Sequence, residues 1–137
     1  MIVIVIVIAT SRTHHMSHRY HERGHIRQNA AQHDLAIEDF TEAVRLSPEY
    51  DSAYCARGYS RIELNQLRLA LGDFELALRY NPHNATAYNE RGYVRLLLGD
   101  YENAITDLTA GLTVDPKNAH SVTNRYAAGA HCLSYYA

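Results

Sequence analysis

The 137-residue chain is predicted to be all-α, a stack of short helix pairs, and three observations carry that prediction. The first is a period of 34: Pro48, Pro82 and Pro116 keep that spacing, as do Tyr20, Tyr54 and Tyr88. The pairs Arg23-Gly24, Arg57-Gly58 and Arg91-Gly92 follow it, and so do Ala36, Ala70 and Ala104. Self-similarity at a fixed period of this length marks a stacked repeat array. The second is that each copy holds two short helical patterns closed by a proline, which lacks the N–H a helix needs and clashes with the preceding turn. The third is size. Gly at position 8 and Ala at position 20 of each copy put no bulk between the two helices, so their backbones can approach. The aromatic at position 4 and Phe40, Phe74 or Leu108 at position 24 fill the space on either side.

These positions resemble the tetratricopeptide repeat, which has an aromatic at 4, Gly at 8, Ala at 20, a large apolar residue at 24, Ala at 27 and Pro at 32. The first copy supplies Tyr20, Gly24, Ala36, Phe40, Ala43 and Pro48; the second, Tyr54, Gly58, Ala70, Phe74, Ala77 and Pro82. The third supplies Tyr88, Gly92, Ala104, Leu108, Gly111 and Pro116. Two departures stand out. Position 11, usually aromatic, holds Arg27, Arg61 and Arg95, which implies altered packing within each pair; Gly111 at position 27 implies a softer third repeat. The resemblance implies a right-handed superhelical α-solenoid whose first helices line a concave groove.

Taken in order, residues 1–16 lie outside the repeat. Ile2 to Ile8 is a pure Ile/Val run, too short to span a bilayer as a helix. Three readings compete for it: a strand that pairs with a copy of itself, an inefficient membrane-directing segment, or non-native sequence at a reading-frame edge, a low-complexity end that carries no structure. The last is preferred. His14, His18, His21 and His25 would fall within about 60° of one another on a helix extended upstream. Such pairs at i, i+4 can hold Zn²⁺ or Ni²⁺, but no carboxylate or Cys is placed to complete a site, so no metal is assigned.

Repeat one, 17–50, is expected to have helices near 18–30 and 34–46, with Ala30, Ala31 and Gln32 making a loosely defined turn. Repeat two, 51–84, opens on Asp51 and Ser52 as helix caps. Its helices are expected over 52–64 and 67–80, with Asn65 capping the second. Repeat three, 85–118, has Asn84 and Asp100 as caps. Residues 119–137 make one more helix, near 119–133, or an incomplete fourth repeat. Its apolar run from Ala127 to Tyr136 is a poor terminal cap, since caps present a polar outer face.

Position 7 faces the second helix and carries Arg23, Arg57 and Arg91, whereas position 23 carries Asp39, Asp73 and Asp107. An Arg–Asp pair is therefore expected to bridge each helix pair. Because it recurs every repeat it is read as structural, giving register more than stability.

Net charge is −2 with His neutral, so nothing suggests a nucleic-acid field. Two cysteines far apart, Cys55 and Cys132, offer no disulfide framework and fit a reducing, cytoplasmic setting. No phosphate-cradling, nucleophile-elbow or zinc-protease motif occurs, so neither catalytic residues nor a cofactor are assigned.

The family resemblance implies a non-enzymatic scaffold that binds a peptide or protein segment. Its groove would be lined by His18, His21, His25 and Asn29, then Ser52, Cys55, Tyr59 and Ile62, then Asn89, Glu90, Tyr93 and Leu96. Tyr59 and Tyr93 share position 9 of consecutive repeats and are expected side by side at its centre. The chaperone-binding carboxylate clamp of the family is expected to be absent, because its places hold His21, His25, Ala56, Thr86 and Glu90. The alternative to a scaffold is self-assembly into homo-oligomers through the apolar chain ends.

Overall fold

A computed structural model describes residues 2–136, with side chains for all of these except 2, 5–9, 135 and 136. Seven helices follow in chain order: α1 (Ile2–Asn29), α2 (His33–Leu46), α3 (Asp51–Glu63), α4 (Leu67–Tyr80), α5 (Ala85–Leu97), α6 (Tyr101–Val114) and α7 (Ala119–Tyr136). No strand occurs among the described residues. No helix among them is long and apolar enough to cross a membrane. α1 packs on α2, α3 on α4, α5 on α6, and each pair packs on the next. The odd-numbered helices also touch one another in sequence, whereas α2, α4 and α6 do not. One layer is thus closed and the other splayed, so the stack curves with α1, α3, α5 and α7 on its inner, concave side.

Why these segments are helices is written in their repeats. The second helices end at Leu46, Tyr80 and Val114, two residues before each proline. The residues preceding proline, Ser47, Asn81 and Asp115, are bent out of the α region at φ −137°, −135° and −125°. Proline's ring disfavours helical backbone in its predecessor, so the stop is steric. Ala36, Ala70 and Ala104 are fully buried, as are Phe40, Phe74 and Leu108.

The glycines at position 8 meet position 24 directly. A Cβ built on Gly24 would lie 2.5 Å from Phe40 Cε1, on Gly58 2.7 Å from Phe74 Cζ, and on Gly92 2.7 Å from Leu108 Cγ. The ring or isobutyl group therefore occupies the glycine's missing side chain, where flanking it was expected.

The turns inside the pairs differ from expectation. All three adopt one conformation, with Ala31 and Asn65 at φ 57° and Gly99 at φ 81°. In each, the next amide reaches five residues back: Gln32 to Arg27 O at 2.8 Å, Gln66 to Arg61 O at 2.7 Å and Asp100 to Arg95 O at 2.9 Å. This is the Schellman stop, which favours glycine. The first turn is as well defined as the third, but Ala31 carries its Cβ in the left-handed region. Asn65 ends α3 and does not cap α4, whose N-cap is Gln66. Asp51 is likewise no cap: Tyr50 holds that place, and Asp51 Oδ2 accepts from Asn81 Nδ2 and Asn84 Nδ2, both at 2.8 Å. Asn84 does cap α5, accepting from the Ala87 amide at 2.9 Å. Asp100 sits at the N-cap of α6 but accepts from Asn103 instead of a backbone amide.

The first helix is far longer than its repeat. Residues 2–16 continue α1 upstream, where a pairing strand or structureless end was expected. Once Ser17 to Asn29 are packed, each further residue adds a hydrogen bond without a new nucleus. β-Branched residues oppose this only weakly. Val3 and Ile4 stay exposed there, so the extension buries neither.

Within each pair, the polar seam carries two guanidiniums on one buried carboxylate. Asp39, Asp73 and Asp107 are buried. Arg57 and Arg61 meet Asp73 at 2.7 Å each, and Arg91 and Arg95 meet Asp107 at 2.7 and 2.6 Å. Arg23 pairs with Asp39 in the same way, joined by Arg27 at 2.9 Å. The guanidiniums of Arg23, Arg57 and Arg91 also lie over Tyr20, Tyr54 and Tyr88, 5.2–5.8 Å from the ring centroids. Position 11 thus exchanges an aromatic contact for a second arm on the seam carboxylate. Burial dominates in the middle: it pushes the Asp73 carboxyl up against the pull of Arg57 and Arg61, and it pulls the Arg61 guanidinium down.

Candidate functional site

The concave face is built from first helices whose small residues hold them close. Ala53 and Ala87 are fully buried at position 3, and Tyr54 stacks on Tyr80 at 5.8 Å behind them. Between these anchors, the side chains on the inner surface are set by helix phase. They form two unlike ends and a centre.

At the α1 end the polar groups satisfy one another. Gln28 Nε2 donates to Ala56 O at 3.0 Å and Ser60 Oγ at 2.9 Å, which turns its Oε1 toward His25 Nδ1 at 3.1 Å. His25 must therefore carry its proton on Nδ1, leaving Nε2 to accept from His21 Nε2 at 3.3 Å. His21 Nδ1 then accepts from the Tyr50 hydroxyl at 3.1 Å. Ser52 Oγ, exposed, lies 3.5 Å from His21 Nε2. His18 reaches Tyr50 at 3.2 Å and Glu22 at 3.3 Å, a carboxylate partner not foreseen for the His stripe. Burial, then the neighbouring His25 and His18, pulls the His21 pKa down to about 4, so this imidazole is neutral in the relay. Among the described residues, no three His, Cys, Asp or Glu converge on one point.

The centre is Tyr59, 44% exposed, with Tyr93 half-buried on the next helix. Glu63, one turn along α3, raises the Tyr59 phenol; burial, Glu90 and Tyr93 add to it. Ile62 packs against the core, and Leu96 is half-buried. Two expected groove residues, Cys55 and Asn89, are buried. Cys55 is buried, 7% exposed, and burial pushes its thiol up to about 12, so it belongs to the packing and offers the groove no reactive sulfur.

The α5 end is open. Asn89, Glu90 and Tyr93 of α5 face His120, Ser121 and Asn124 of α7 across a cavity of about 280 Å³. Asn89 is 7% exposed, and its Oδ1 has no hydrogen-bond partner. A Cβ added to Gly111 would lie 1.9 Å from that oxygen. The glycine read as a softening of repeat three is thus the seat of Asn89. The α7 residues of this cavity were missed from sequence, since they lie outside the three full repeats; Asn124-Arg125, one period after Glu90-Arg91, was the available signal.

Solved structures share this architecture. An Arabidopsis OM64 TPR domain superposes with TM-score 0.85 at 26% identity, over 87% of this chain and 98% of that one. The first TPR of Spaghetti (RPAP3), bound to the HSP90 peptide SRMEEVD, gives 0.86 at 22% identity over 88% and 95%. The second TPR domain of human RPAP3, in complex with the HSP70 peptide SGPTIEEVD, gives 0.79 at 19% over 88% and 98%. No curated protein matches the sequence. Residues 17–50 and 55–119 each match the tetratricopeptide repeat in sequence. Periodic residues, curved helix pairs and both matches agree, and the chain belongs to the tetratricopeptide repeat family.

Proposed function

We propose that this protein is a non-enzymatic interaction scaffold that takes a peptide or protein segment on its concave face. The observation that carries the reading is Tyr59. It stands exposed at the groove centre while its helix neighbours Tyr54, Cys55, Ala56, Gly58 and Ser60 are buried. An aromatic ring offers a large contact area for little rotamer entropy, and such rings dominate interface energetics. The peptide complexes of similar domains support the general role.

The ligand, however, is read as a different one. Those two peptides end in Glu-Glu-Val-Asp, and gripping a carboxylate terminus calls for Lys or Arg. The clamp places here hold His21, His25, Ala56, Thr86 and Glu90. His21 is kept neutral, and Glu90 repels an anion.

Panning a phage-displayed random peptide library against the full chain tests this reading. Tyr59→Ala or Tyr93→Ala should cost ~2 kcal/mol or more of affinity for a selected peptide and leave the melting temperature nearly unchanged. Phe74→Ala should instead unfold the protein, since it opens a cavity costing ~3–5 kcal/mol. Tyrosine variants as unstable as Phe74→Ala would make these rings core residues and refute the groove. The SRMEEVD peptide should not bind.

A second reading is self-assembly through the ends, favoured by the exposure of Val3, Ile4, Tyr126 and Leu133; Tyr135 and Tyr136 lie outside the described side chains. A concentration-dependent oligomer that disappears on removing residues 1–16 would support it.

A further inference from the structure

The groove is anionic where it is open. At the repeat positions that face it, the carboxylates are Glu22, Glu63 and Glu90, and none of those positions holds Lys or Arg. The seam takes six arginines to its buried aspartates on the other side of the same helices. Glu22 is engaged by His18. Glu63 is exposed beside Tyr59.

Glu90 is the unusual one. It is half-buried on the cavity wall; burial raises its carboxyl, and His120 is the basic group that pulls it back. Yet it makes no hydrogen bond or salt bridge among the described residues. A half-buried carboxylate that makes no hydrogen bond is only partly solvated, and a cation that enters the cavity beside it gains a charge-assisted pairing. The surroundings suit such a cation. Asn89, Ser121 and Asn124 supply neutral polar groups around the cavity, and Tyr93 supplies an aromatic surface. An ammonium or guanidinium brings only donors, which match a carboxylate and amide oxygens, and it is attracted to an aromatic face.

We propose that the Glu90 cavity receives the cationic head of a Lys or Arg side chain, so that the segment bound in the groove is a basic one. This inference rests on the groove reading above. It names the chemistry of the partner: an unmodified basic peptide segment whose cation enters between α5 and α7, with neighbouring residues lying along Tyr93 and Tyr59 toward Glu63.

The test uses the full chain, the same random library, and fluorescence polarisation with N-acetylated synthetic versions of the selected peptides. Selected peptides should be enriched in Lys or Arg, bind more weakly as salt rises, and lose at least about tenfold in affinity to Glu90→Gln. Glu90→Gln should not lower the melting temperature, because the carboxylate makes no hydrogen bond or salt bridge among the described residues. Glu90→Lys should turn the selection toward acidic peptides. Binders that are lost on Tyr59→Ala but carry no basic bias, or ignore Glu90→Gln, overturn the cation site while the groove stands. Loss of binding on N-acetylation would place an amino terminus in the cavity and overturn the side-chain assignment. A library that yields no binder, or binders indifferent to both Tyr59→Ala and Glu90→Gln, overturns the groove and this inference together.

Discussion

The seam inside each helix pair and the groove across the pairs lie on opposite faces of the same three helices, and they treat charge in opposite ways. In the seam, Asp39, Asp73 and Asp107 are each held by two arginines, and the arrangement repeats three times. In the groove no position is the same in all three copies: positions 5, 6 and 9 read His21, Glu22, His25, then Cys55, Ala56, Tyr59, then Asn89, Glu90, Tyr93. Even its ends differ, since the α1 end closes on itself through a hydrogen-bonded relay and the α5 end leaves the Glu90 carboxylate and Asn89 Oδ1 without hydrogen bonds among the described residues. What recurs every repeat holds the stack together. What changes from repeat to repeat on the same helices is free to specify a partner.

The strongest way to break that contrast is to strike the central seam. Arg57 and Arg61 are only 11% and 17% exposed, against 53% and 26% for Arg23 and Arg27. Asp73→Ala strands two buried cations and should cost ~3–5 kcal/mol, read by urea unfolding. Asp39→Ala should cost less, because Arg23 can turn to water. Equal losses would mean that burial does not set the worth of the seam.

A groove residue that reaches into the packing should fall between the two classes. Gly111→Ala places a methyl on Asn89 Oδ1, and overpacking of this kind costs ~1–3 kcal/mol. The double variant Gly111→Ala with Asn89→Ala should recover most of the loss, since the clashing amide is gone. Absence of recovery would show that Asn89 is not what the glycine accommodates.

Smaller still is the strain at the first turn. Ala31→Gly relieves a left-handed alanine and should stabilise by ~1 kcal/mol, whereas Gly99→Ala should destabilise by a similar amount. The two changes test whether the turns are one motif with unequal residues.

The last effect distinguishes the closed end of the groove. His21 is held near pKa 4, against 6.5 when free. The unfolded chain therefore takes up a proton that the folded chain refuses as pH falls from 6.5 toward 4. Stability is full above this window, declines through it and levels off below. His21 is partly exposed, and solvent screening keeps the effect modest. His18, His25, Glu22, Tyr50 and Ser52 face the same ring, so a melting series in His21→Gln isolates its share. The variant should show a shallower fall than the parent between those pH values.

The sequence alone determined the period, the helix pairs, the proline stops and the facing of position 7 arginines toward position 23 aspartates. These features repeat, so three copies identify them where one would not, and each follows from local steric or helical phase. Tertiary structure decided the rest. Arg27, Arg61 and Arg95 looked like lost aromatics until the fold set them on the same carboxylates as Arg23, Arg57 and Arg91. Gly111 looked like a weakness until Asn89, 22 residues earlier, was found in its place. Cys55 looked like a groove residue until the pairs closed over it, and Ala31 and Asn65 were read as loop or cap until backbone closure forced them left-handed. Residues 2–8 showed a strand's composition, yet they extend a helix already nucleated downstream. The physical reason is common to all of these. Periodicity records which face of its own helix a residue occupies, whereas its partners, its burial and the satisfaction of its polar atoms depend on which other helix arrives opposite, and at what distance.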